Sequence, residues 1–122
     1  GKSLLDAGSL EFCAGLLENP KIALPVDCVV APEFSNDAPS QVVSVDAIPA
    51  DQEGLDIGPE SARRFAQIVA DAKTVVWNGP MGVFEMSNFA AGTQAIAEAM
   101  ASATGSGATT IVGGGDSAAA VE

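Results

Sequence analysis

The chain reads as an α/β domain: a Rossmann-like parallel sheet with helices on both faces. Three observations predict it. Apolar periodicity alternates between helical and extended along the chain, two extended runs break abruptly into glycine-rich turns, and 122 residues with 48% hydrophobic content suffice for one core. The order helix, strands, helix, strand, helix, strand, helix is the one that right-handed crossovers on a parallel sheet produce.

From about residue 6 to 18, Leu10, Cys13, Ala14 and Leu17 recur at helical spacing until Asn19-Pro20, so a helix with one buried face is expected. Residues 22–24 and 28–30 are apolar runs hinged at Pro25 and read as strands. Beyond the turn-rich stretch 32–40, the alternation Val43, Val45, Ala47 reads as a further strand, and one of these strands is expected at an edge. Residues 48–58 carry Pro, Asp and Gly without periodicity, which predicts a loop closed by Pro59 at the first position of a helix. That helix, 59 to about 71, puts Phe65, Ile68, Val69 and Ala72 on one face and leaves Arg63, Arg64 and Gln67 polar.

Thr74-Val75-Val76-Trp77 follows as a buried strand, broken by Asn78-Gly79-Pro80 and Gly82. Trp77 sits inside a β run and is expected in the core. Phe89, Thr93, Ile96, Ala97 and Met100 mark another helix, which ends at the Ser, Gly and Thr cluster of 102–107; residues 110–112 form the last strand. The final stretch, TTIVGGGDSAAAVE at 109–122, is strand, turn and helix, with the helix starting at Ser117. A chain leaving a strand through Gly113, Gly114 and Gly115 presents unpaired N–H groups at the positive end of a helix dipole, which suits a phosphate. Asp116 can cap those N–H groups or hold a hard divalent cation beside bound phosphates. The plain alternative is a tight turn with an Asp or Ser cap. In a parallel sheet both broken strands open onto the carboxyl edge, where ligands bind, so the loops after Trp77 and Val112 are expected to face one ligand.

Composition excludes several functions. Lys2, Lys21, Arg63, Arg64 and Lys73 face 16 acidic residues, for a net charge of −11, so nucleic acid is not an expected partner. No apolar run approaches the roughly 20 residues of a membrane span, and the opening lacks the blocks of a signal peptide. A cytoplasmic protein with no membrane partner is expected, with Cys13 and Cys28 as reduced core residues. The chain has no histidine, which rules out a zinc or Ser-His-Asp mechanism built within it. Neither the G-x-x-x-x-G-K-[ST] nor the G-x-G-x-x-G pattern occurs. Opening on Gly1-Lys2 and stopping one turn into a helix without a C-cap signal, the chain is expected to be a piece of a longer protein.

The strings LPVDCVVAPEF, GLDIGPES, TVVWNGPMGVFE and TIVGGGDSAAAVE, in this order and spacing, resemble the phosphoglycerate kinase family and cover nearly all of the chain. The resemblance implies most of the carboxyl-side, nucleotide-binding domain of a two-domain, monomeric kinase of glycolysis, of bacterial type. Such a kinase transfers phosphoryl between 1,3-bisphosphoglycerate with ADP and 3-phosphoglycerate with Mg-ATP. It further implies that Gly54 and Leu55 line an adenine pocket, that Asn78, Pro80 and Val83 border the nucleotide, and that Glu85 holds the ribose hydroxyls. Backbone N–H groups of Gly113, Gly114, Gly115, Asp116 and Ser117 would meet the phosphates, with Gly114 at the catalytic position and Asp116 on magnesium. Ser117 stands where relatives often have threonine, an exchange that keeps the hydroxyl. The family's Gly-Ala-Lys segment, its arginine-rich phosphoglycerate domain, and its downstream histidine and second glycine cluster have no counterpart in this sequence. The chain alone is therefore expected not to catalyse, because phosphoryl transfer rests on positioning and positive charge. A folded interaction module and a non-nucleotide anion binder are the competing expectations.

Overall fold

A computed structural model describes residues 1–122. In chain order the elements are α1 (Leu10–Leu16), β1 (Asp27–Ala31), β2 (Gln41–Ser44), β3 (Glu53–Ile57), α2 (Pro59–Asp71), β4 (Thr74–Asn78), α3 (Ala91–Gly105), β5 (Thr109–Gly113) and α4 (Gly115–Val121), with short 3-10 turns before α1, after β2 and before α3. The α/β class holds, and β4 pairs with β5 in parallel register, Thr74 opposite Thr109 through Asn78 opposite Gly113. α3 makes the crossover between them.

The other three strands form an antiparallel sheet of their own, ordered β2-β1-β3. No helix lies between β1, β2 and β3, so nothing carries the chain back to start a parallel neighbour. β3 falls where the sequence predicts a loop. Gly54 and Asp56 are poor strand formers, and pairing with β1 overrides that local preference. Residues 22–24, predicted extended, form no strand, and the alternating run near Val45 turns into a 3-10 turn at Val45–Ala47 after β2.

The core has two centres. Trp77, Ile96 and Met100 are buried together between β4, α2 and α3, with Phe65, Val69 and Val75 against them. Ala31, Leu55 and Phe89 make the second, with Val29, Val83 and Met86 packed on it. Trp77 and Met100 thus sit inside, as their patterns imply. Strand alternation turns Val76 and Ile111 away from α3, and both remain exposed. α1 forms where its periodicity predicts, but buries none of its residues: Leu10, Phe12 and Cys13 are exposed, as is Leu17 just past its end. The expected buried face and the core role of Cys13 fail together, because no element of this chain packs on that face. Cys28 is buried in β1.

Candidate functional site

The two glycine corners meet. Parallel pairing places Asn78, the last residue of β4, opposite Gly113, the last of β5. One residue further on, the Gly79 N–H donates to Ser117 Oγ at 2.6 Å, a direct link between the first loop and the start of α4. Gly114 adopts φ 84° and ψ 147°, a region that L side chains rarely enter, and a Cβ there would lie 3.2 Å from Asn78 Oδ1. Gly113, Gly114 and Asn78 therefore share one tight corner.

The rest of the first loop is held from beneath. The register of β1 on β3 shifts between Val29 and Val30, so that Asp56 faces Val29, Gly54 faces Val30, and Leu55 is the extra residue of a bulge. A bulge leaves its extra residue out of the ladder, and the Leu55 carbonyl accepts the Val83 N–H at 2.9 Å. Met81 and Gly82, the two residues before Val83, donate to Thr93 Oγ1 at 3.1 and 3.4 Å. A Cβ on Gly82 would collide with the Leu55 carbonyl and with Asp56, so only glycine lets the loop lie this close to β3.

Three helices start beside these strands, and two of the starts carry a resident carboxylate. At α2 no residue of the helix caps itself; Asp27 reaches over from β1 and accepts Glu60 N at 3.0 Å and Ser61 N at 2.8 Å, and the Ser61 hydroxyl bonds it as well. Burial pushes the Asp27 carboxyl up, yet the Ser61 hydroxyl and the two N–H donors together outweigh it and hold the group below the usual carboxylate value. At α3, Asp56 accepts Gly92 N at 2.8 Å and Ile57 N at 2.9 Å. There burial wins over the two donors and Asp56 titrates above the usual value. At α4 no side chain caps the first turn. Asp116 lies within that turn, exposed, and is not the cap.

The sequence-predicted residues divide accordingly. Asn78, Gly113, Gly114 and Ser117 are brought together, and Gly115 and Asp116 extend that corner into solvent. Leu55 and Val83 are joined by their backbone bond, and the Leu55 side chain is spent in the core beside Ala31 and Phe89. Gly54 is exposed next to Leu55, with its N–H on Ser3 Oγ at 2.9 Å. Pro80 is half-buried in the first loop. Glu85 is exposed, two residues past Val83, and forms no hydrogen bond. The widest cleft, about 650 Å³, lies elsewhere, between Val29 and Val42 of the antiparallel sheet and Ala62, Arg63 and Ala95 of α2 and α3, and no predicted site residue lines it. Sequence reasoning missed Asp27, Asp56 and Thr93, the buried polar groups that hold the corners; Thr93 reads as one more position on a helix face.

Each of the two parallel strands ends in a glycine-rich corner, and both corners lie at the carboxyl edge of the sheet, the edge at which open α/β sheets in general hold ligands. The family profile described as phosphoglycerate kinase matches residues 1–122. The chain belongs to the phosphoglycerate kinase family. The phosphoglycerate kinases of Listeria monocytogenes and Listeria welshimeri are 61% identical over 122 residues, and that of a Mycobacterium species is 57% identical over 123. These alignments take in 98–99% of this chain and 30% of each relative, so the chain spans about a third of their length. The phosphoglycerate kinase structure from Coxiella burnetii superposes with a TM-score of 0.91 at 42% identity, covering 99% of this chain and 32% of that one. The Pyrococcus horikoshii enzyme gives 0.73 at 30% identity, covering 93% of this chain and 29% of the other. No helix is long and apolar enough to cross a membrane.

Proposed function

We propose that this chain supplies the nucleotide side of a phosphoglycerate kinase, a monomeric cytoplasmic enzyme of glycolysis. The whole protein would catalyse reversible, magnesium-dependent phosphoryl transfer between 1,3-bisphosphoglycerate with ADP and 3-phosphoglycerate with ATP. The observation that carries this reading is the joined corner: Gly79 and Ser117 are tied together, and α4 is the one of these three helix starts whose N–H groups no carboxylate of the chain accepts. An external anion there would meet free N–H groups at the positive end of a helix dipole, where α2 and α3 already hold a negative charge of their own.

In this reading Gly113, Gly114, Gly115, Asp116 and Ser117 give backbone N–H groups to the phosphates, with Gly114 at the catalytic position. Gly54, Leu55, Asn78, Pro80 and Val83 border the base and sugar, and Glu85, free of other partners, accepts from the ribose hydroxyls. No group of three acidic, His or Cys residues forms a cage for a metal. A single exposed carboxylate such as Asp116 suits magnesium shared with phosphates, which takes one or two carboxylates and completes its shell from the ligand. Bound there, magnesium would neutralise phosphate charge. The residues described here bind and orient; Arg63 and Arg64 are engaged with Glu60 on an exposed face of α2, and none of the corner residues is basic, so cationic stabilisation of the transferring group is assigned to groups outside the corner.

Titration calorimetry with millimolar Mg-ADP tests the reading. Heat from the folded chain is expected, and its absence favours an interaction module. Glu85→Ala is expected to weaken ATP more than inorganic phosphate, and equal losses would remove Glu85 from the ribose.

A further inference from the structure

We infer that Thr93 is a positioning residue for the nucleotide loop: its hydroxyl fixes the path of residues 80–83 and so the placement of Pro80 and Val83. The inference rests on the nucleotide reading above. Thr93 lies at the first turn of α3, 3% exposed, and its Oγ1 is the shared acceptor for two successive N–H groups, Met81 and Gly82. Val83 gives the next N–H to the bulged Leu55 carbonyl, so three consecutive donors of one loop are drawn inward. A loop so tied offers none of these three N–H groups to a ligand, and the Met81 and Val83 side chains pack against the two core centres.

The acceptor itself is held in place. Gly92, the residue before Thr93, donates to buried Asp56 on β3, the strand residue beside the bulge. Asp56 thus pins the start of α3 to the same strand end that anchors Val83, and Thr93 spans the distance between helix and loop. The hydroxyl's part is separable from packing, because valine matches threonine in shape and has no acceptor, whereas serine keeps the oxygen.

The test compares Thr93→Val and Thr93→Ser with the unaltered chain by amide hydrogen exchange and by calorimetry with Mg-ADP and, separately, Mg-pyrophosphate. Thr93→Val is expected to speed exchange at Met81 and Gly82 and to weaken Mg-ADP about tenfold, the effect of about one misplaced contact. Mg-pyrophosphate, which would engage only the Gly113–Ser117 corner, is expected to bind as before, and Thr93→Ser is expected to restore both readouts. A fold weakened throughout would lower both ligands together, which overturns a positioning role, as would unchanged Mg-ADP affinity in Thr93→Val. If Thr93→Val does not fold, exchange in the unaltered chain decides: Met81 and Gly82 no better protected than exposed Glu85 sinks the inference. No heat from the unaltered chain with Mg-ADP overturns the nucleotide reading alone, and the loop-fixing role then stands or falls on exchange.

Discussion

α2 and α4 begin in the same way, from a strand through a glycine into a helix, and differ in what occupies their first turn. α2 receives Asp27 from a neighbouring strand, with its carboxylate on two backbone N–H groups and on Ser61. α4 has Gly114 at its cap position, an exposed Asp116, and a serine whose hydroxyl is committed sideways to Gly79. One start has its N–H groups bonded by a carboxylate of the fold, and the other has no side-chain acceptor from this chain. A glycine corner is therefore informative only when the charges that long-range packing brings to it are known.

Removing the carboxylate at each start should separate them. Asp27→Ala strips two N–H groups and a buried hydroxyl of their partner, and a loss of about 2–4 kcal/mol is expected in urea unfolding. Asp116→Ala should cost about 1–3 kcal/mol of Mg-ADP affinity by calorimetry and leave stability within about 0.5 kcal/mol. A large drop in stability at Asp116 would make α4 another ordinary capped helix. Ser117→Ala removes the joint between the corners, and about 1–2 kcal/mol of stability should go with it, together with faster exchange at the Gly79 amide.

Acid titration sharpens the contrast between the occupied starts. Asp27 is depressed in the fold, so its contribution is complete above the unfolded carboxylate value of 3.8 and is lost as pH falls through its lower folded value. Asp56 is raised, so its sign reverses: stability from this group grows as pH falls from its folded value toward 3.8. Unfolding followed against pH should therefore show a shallower acid-side decline in Asp27→Asn and a steeper one in Asp56→Asn, which removes the opposing gain. Glu60, exposed and held at about 2 by Arg63 and Arg64, should show the smallest effect, with Glu60→Gln shifting the melting temperature less than any of these.

The glycine corners, α2, β4 and β5 were legible because their signals are local: a proline at N1, a β run, an abrupt glycine break. β3 was not, since Gly54 and Asp56 argue against a strand until β1 supplies the pairing. α1 shows the converse, a correct period whose apolar face finds no partner here. Asp27, Asp56 and Thr93 escaped for one reason. Asp27 serves Ser61, 34 residues on, Asp56 serves Gly92, 36 residues on, and Thr93 serves a loop 11 and 12 residues back. No window of periodicity spans such separations.

The outward-facing Val76 and Ile111 bear on how the chain behaves in quantity. Both edges of the two-stranded β4-β5 sheet are unpaired beside an oily surface, an arrangement prone to stacking and edge-to-edge growth. A net charge of −11 keeps neighbouring molecules apart by mutual repulsion. Concentrated solutions should therefore stay clear at neutral pH and low salt, and turn cloudy as acid or added electrolyte removes that repulsion.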